Sequence, residues 1–438
     1  MDAFIMDKQP LQLSFFWHMH QPDYRGSDGV MSMPWVFLHA IKDYYEMPWL
    51  LTKYTSIKAT FNLTATLMEQ LELYSDPLKH DYFLFLWEQH PSELDAESRQ
   101  WLIKLCKSSQ FETMVRPLRR YEYLYGKSEY SDGELIDLEV LFLLSWCGNY
   151  LRRENGIVKG LLQQGEGFGQ DDKYRLLEAL CTFIQTIIPY YAQLQEEGRI
   201  SVSTTPYYHP ILPLLIDMEN AAIANPHTTL PKRALSLYED ARKHIERSVA
   251  LYEKNFKKKP TGFWPAEGAV DEKSLALYRE YGLKWIATDE AILFHSLGNE
   301  ERKNLYHTYR FNEVAIGFRD HGLSDLIGFT YRFKSAEDAA DHFLHTLENI
   351  DYEQNDPSVC VIVDGENAWE FYENNGFDFF TALYERLEKT PWCKTATMDE
   401  MAKRTLPREL EALKPGSWIH GTFDTWSGHP QKNRAWEL

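Results

Sequence analysis

Two acidic residues sit in segments rich in the side chains that bind sugars. Glu267 lies in FWPAEGAVD, three positions after Trp264, and Asp364 lies in VDGENAWE, five positions before Trp369. A pair of carboxyl groups can cleave a glycosidic bond: one assists at the anomeric carbon while the other protonates the leaving oxygen. Nearby indole rings offer flat apolar faces for sugars and lower the local polarity, which raises the pKa of an acid. Taken singly, either carboxylate reads equally well as a helix N-cap or a salt-bridge partner. Two further segments add polar groups. WHMHQPDY carries His18 and His20 two positions apart, and STTPYYHPILPLL carries His209.

The His-x-His pair also opens a metal reading, because two residues apart on an extended chain face the same way. Asp289 and Asp320 are the candidate carboxylates to complete such a site, which would serve a metal-dependent hydrolase or deacetylase. No HExxH accompanies them. A serine-nucleophile elbow GxSxG is absent, as are GxGxxG and GxxxxGK[ST], so neither an esterase elbow nor a nucleotide-binding loop is indicated.

These residues need a scaffold that brings distant loops together. Seven short β-rich runs recur along the chain: 11–17, 56–63, 199–204, 261–265, 283–288, 313–318 and 358–363. Helical patterns separate them, including 40–51, 233–252, 272–281 and 336–350. Strands alternating with helices imply a mostly parallel α/β sheet, and a barrel fits better than an open sheet. In such a barrel the catalytic groups stand at the C-terminal ends of strands, which is where both carboxylates and all three histidines fall. Residues 67–194 contain helical patterns only and read as an insertion between the second and third strands. The organisation expected is a barrel over 1–405 and a C-terminal segment over 406–438.

Composition narrows the class. The 438 residues carry a net charge of −19, which disfavours nucleic acid as a partner. The basic run 254–259 reads as the C-terminal end of a helix. Five widely spaced cysteines give no disulfide framework or zinc knuckle, and no apolar run reaches membrane-spanning length. The opening MDAFIMDKQP lacks the pattern of a signal peptide, so a cytoplasmic location is expected. Aromatic residues make up 14% of the chain, including 13 Trp, an excess that suits sugar binding or core packing.

Five ordered blocks, WHMHQPDY, GRISVSTTPYYHPILPLL, GFWPAEGAVD, VIVDGENAWE and PGSWIHGTFDTWSG, together resemble the five characteristic regions of glycoside hydrolase family 57. The amylopullulanase and α-amylase-like branch is the most similar, and FRDHGLSDLIGFTY (318–331) resembles a further segment of that branch. The resemblance implies an incomplete (β/α)7 barrel followed by a helical region, of which 406–438 would be the truncated start. It also implies retaining action on α-glucans and leaves the linkage and the oligomeric state open; no cofactor and no metal are expected. Glu267 falls on the nucleophile of the family and Asp364 on its general acid/base, with Asp320 and Asp325 as competitors for the acid. His18, His20, His209, Trp264, Asp320, Trp369, Trp418, Asp424 and Trp426 fall on or near substrate-binding positions. Transfer to a sugar instead of water, as in a 4-α-glucanotransferase, uses the same residues, and an inactive glucan-binding homologue would be expected to have lost one carboxylate.

Overall fold

The computed structural model describes residues 9–233, 236–352, 356–404 and 407–438. Seven parallel strands form a nearly closed barrel: β1 (Leu11–Met19), β2 (Ala59–Leu63), β3 (Ile200–Ser203), β4 (Gly262–Phe263), β5 (Trp285–Asp289), β6 (Val314–Arg319) and β7 (Ser358–Asp364). β1 is the centre of the register, pairing with β2 on one side and β7 on the other. The ring continues through β3, β4, β5 and β6. It is thinnest at two joints, the single bridges Thr204–Phe263 and Arg319–Cys360. All seven strand expectations coincide with these strands. Strand pieces Tyr309–Phe311, Cys393–Thr395 and Arg408–Glu409 flank the barrel and were not anticipated.

The strands read as apolar runs because both faces are covered. Phe16, Trp264, Trp285, Ala287, Ala315, Cys360 and Ile362 fill the interior. On the outside, Phe15 and Trp17 pack against aromatic residues of the surrounding helices, for example Phe343 and Phe380. Small residues are forced where rings crowd the wall: a Cβ on Gly262 would lie 2.0 Å from the Trp285 ring.

Between β2 and β3 the chain is helical throughout, from Ala65–Glu72 to Ile187–Glu196. Helix Asp132–Trp146 is buried nearly all round after a Ser131–Glu134 capping box, so it forms the centre of this region. Helix Tyr238–Phe256 starts later than expected and ends with Lys257 in the left-handed conformation; part of its expected start, 234–235, lies outside the described residues. Residues 1–8, which carry most of the N-terminal reading, and the expected division at 405–406 lie outside them too. All five cysteines are buried free thiols, and no described helix is long and apolar enough to cross a membrane.

Candidate active site

The register of β1 sets the geometry. His18 stands opposite Asn62 of β2 and opposite Asp364 of β7, so polar groups from three strands meet at the C-terminal mouth. His18 Nδ1 lies 2.7 Å from Asn62 Oδ1, and Asn62 in turn donates to Ser203 Oγ at 3.0 Å and accepts from Thr205 Oγ1 at 3.0 Å. This chain of bonds fixes the His18 ring. His20 and His209 stack face to face, with centroids 3.9 Å apart and planes 15° from parallel, and His18 lies 5.4–5.5 Å from both. Burial disfavours the imidazolium, holding His18 near pKa 4 and His20 near 3 and pushing His209 well down. The three rings are therefore neutral hydrogen-bonding groups at physiological pH.

Glu267 reaches the same mouth from the turn after β4. Its backbone is left-handed (φ 57°, ψ 25°), as is that of His209 (φ 54°). Bulky residues in that region cost roughly 1–3 kcal/mol and persist where the surroundings impose them, often at functional sites. Trp418 supplies the constraint here. Its backbone N–H donates to Glu267 O at 3.0 Å, and its Nε1–H donates to Glu267 Oε2 at 2.9 Å. An antiparallel bridge between Val270 and Gly416 carries the C-terminal segment into place. His209 Nδ1 lies 3.6 Å from Glu267 Oε1. Burial raises the Glu267 pKa, the Trp418 bond opposes the rise, and the charge of Asp364 adds to it.

Asp364 ends β7, and Gly365 follows because a Cβ there would meet Met19 Sδ at 2.4 Å. The Gly365 N–H donates to His18 O at 2.8 Å, tying the acid-bearing turn to β1. Burial raises the Asp364 pKa against the opposing effects of the Asn367 side chain, 3.3 Å away, and the Arg319 charge. A raised pKa suits a proton donor.

Not every expected sugar-binding residue faces the mouth. Trp264 is 0% exposed beneath it, wedged between Phe16, His18 and Trp418 at 5.2–5.7 Å. Trp369 is 1% exposed and packs on Trp17 and Phe380, while its Nε1–H donates to Gly365 O. Both rings are floor, not platform. Asp320 caps the next helix through Leu323 N–H at 2.8 Å and pairs with Arg302 at 2.8 Å. Asp424 accepts from Asn225 and Thr228, stapling the C-terminal segment to that loop. Trp426 packs on the apolar cluster of Ile211, Leu214 and Phe423. Asp325, the other competitor for the acid, pairs with Arg319 at 2.6 Å and His321 at 3.0 Å.

The metal reading loses its expected carboxylates in the same way, since Asp289 accepts from Arg319 Nη1 and from Ala291 N–H. His18, His20 and His209 do bring ring nitrogens within 4.8 Å of one another. Yet His20 and His209 are stacked face to face, a geometry in which the in-plane lone pairs of both rings do not meet at one ion. Asn62 and Arg319 were missed from sequence, although both are polar residues at strand C-terminal ends, the signal that selected Asp364.

Two expected outcomes follow. Trp369→Ala should cost about 3–5 kcal/mol in chemical denaturation, the loss typical of a core indole. Trp418→Phe keeps a ring but removes the donor to Glu267. The Glu267 pKa then rises further, and the acid limb of the kcat/KM–pH profile moves up. Activity below that limb falls by about tenfold, as for loss of a hydrogen bond to a charged group.

Residues 14–414 match the signature of glycosyl hydrolase family 57. The chain belongs to that family. Its fold is similar to that of an alpha-amylase from Thermotoga maritima (TM-score 0.59, 15% identity, 94% of this chain and 78% of that one). It is equally similar to a family 57 branching enzyme from Pyrococcus horikoshii (TM-score 0.59, 16% identity, 97% and 76%). A 4-alpha-glucanotransferase from Thermococcus litoralis shares the fold at TM-score 0.52 and 12% identity, over 94% of this chain and 43% of that one. No curated protein matches the chain. Membership in the family makes the chain a glycoside hydrolase by class and agrees with the (β/α)7 barrel described above.

Proposed function

We propose that the protein cleaves α-glucans such as starch, glycogen and maltooligosaccharides with retention of configuration, Glu267 acting as nucleophile and Asp364 as general acid/base. The observation that carries this reading is that two half-buried carboxylates, one just after β4 and one ending β7, stand at the C-terminal mouth of one barrel. Glu267 is held by the indole N–H of Trp418, and Asp364 has the raised pKa a donor needs. The names of the similar structures, an amylase, a branching enzyme and a glucanotransferase, support α-glucan as the substrate class.

The steps balance simply. Asp364 gives its proton to the glycosidic oxygen as the C1–O bond breaks, and a Glu267 oxygen forms an ester to C1. The Asp364 carboxylate then takes a proton from water or a sugar hydroxyl. The oxygen of that acceptor bonds to C1, and the ester bond to Glu267 breaks. Neutral His18, His20 and His209 offer ring nitrogens to the sugar hydroxyls. The five buried free thiols suit a reducing compartment, so we place the protein in the cytoplasm.

Incubation with maltooligosaccharides and with pullulan, followed by NMR, tests the reading. α-Anomeric products are expected from the first substrate, and cleavage of the second would add α-1,6 action of the amylopullulanase kind. β-Anomeric products, or no cleavage of either, would overturn it.

A further inference from the structure

Beside Asp364 lies a cavity of about 270 Å³ whose lining includes none of His18, His20 and His209. Asp364 and Trp418, the residue that hydrogen-bonds Glu267, both line it, so it adjoins the proposed reaction centre; Phe329, Arg332, Asn367 and Phe371 are among the other lining residues. Its aromatic residues are unusual for a soluble surface. Phe329 is 63% exposed and Phe371 is 45% exposed, with Phe333 close by at 78%. Exposed aromatic groups gathered at one place mark a surface that a ligand covers.

The platform is also held in position. Arg332 lies over the rings of Phe333 and Phe371 at 4.7 and 4.8 Å, and its Nε is buried with no protein acceptor. Tyr372 Oη donates to Ile327 O, which joins the turn bearing Phe371 to the turn bearing Phe329. An apolar floor with an unpaired donor at its edge is the chemistry that recognises a pyranose ring.

We propose that this cavity is the acceptor subsite and that it sets the balance between transfer and hydrolysis. The inference rests on the assignment of Asp364 as acid/base, because the group that protonates the leaving oxygen stands between the cleaved residue and the departing sugar. A glucosyl ring seated on Phe329 and Phe371 would present a hydroxyl to Asp364 and keep water from the glycosyl–Glu267 ester. The hydroxyl proton passes to Asp364, the hydroxyl oxygen bonds to C1, and the Glu267 carboxylate leaves.

α-Maltosyl fluoride as donor and maltose as added acceptor separate the two assignments, since fluoride departs without an acceptor sugar. The wild-type chain should release fluoride and form transfer products. In Phe329→Ala and in Phe371→Ala the ratio of transfer to hydrolysis should fall at least about tenfold with a higher KM for maltose, and Phe371→Tyr should restore it, because these exposed rings contribute binding and not core. Absence of fluoride release from the wild type overturns the catalytic assignment and the subsite with it. Fluoride release without transfer products, or a ratio in both alanine variants within twofold of wild type, overturns the subsite alone.

Discussion

Replacing Glu267 with glutamine is expected to lower kcat on maltooligosaccharides by about 10⁴-fold or more while the fold and glucan binding persist. Glutamine has the shape of glutamate and still accepts a hydrogen bond from Trp418 Nε1, so the strained turn at 266–268 keeps its anchor. What it lacks is the carboxylate oxygen proposed as the nucleophile. No neighbour can take over: His209 Nδ1 is 3.6 Å from the carboxylate but sits on a ring wedged against His20, and Asp364 belongs to the opposite wall. Circular dichroism and glucan affinity would verify that only the chemistry has gone. A variant that kept full activity would remove Glu267 from the mechanism.

Asp364→Asn is the second large effect, about 10²–10⁴-fold in kcat on unactivated glucans, the range for loss of a general acid. Its pH signature is more telling than its size. As the proposed general acid Asp364 must be protonated, and burial raises its pKa; activity is therefore expected to decline as pH rises through a value above the ordinary carboxylate range. Glu267 must be ionised to attack, so activity also declines as pH falls through its own raised pKa. Both limbs of the bell belong to carboxylates. The histidines add none near 6.5, because His18 and His20 titrate only near 4 and 3. In the asparagine variant the basic limb should vanish and the acid limb should stay.

The barrel was legible because parallel strands buried on both faces are short apolar runs with turn residues around them. Helix limits were less so. The run 40–51 reads as one helix but divides into a wide turn, Ala40–Tyr44, and a new helix, Glu46–Thr52, with Pro48 in the first turn where its missing N–H has no partner to lose. At the barrel mouth, sequence named the carboxylates and histidines that the fold brings to the strand ends but not the depth of the indoles. Trp264 and Trp369 stand near the acids in the chain, yet strand direction and packing turn both inward. One residue of register separates Arg319, the last paired residue of β6, from Asp320, the cap of the following helix. Phe329, although inside the segment 318–331, and Phe371 carry no signal of exposure in the sequence because they lie beyond the strand ends, where no periodicity sets which way a side chain faces.

The covalent intermediate offers the most direct test. In Asp364→Asn incubated with α-maltosyl fluoride, the first step needs no acid, and the second lacks its base, so the glycosyl–enzyme should accumulate. Mass spectrometry of the protein and its peptides should then show one added maltosyl group on the peptide that contains Glu267. An adduct on another residue, or steady release of β-maltose with no adduct, would contradict the assignment of Glu267 as nucleophile.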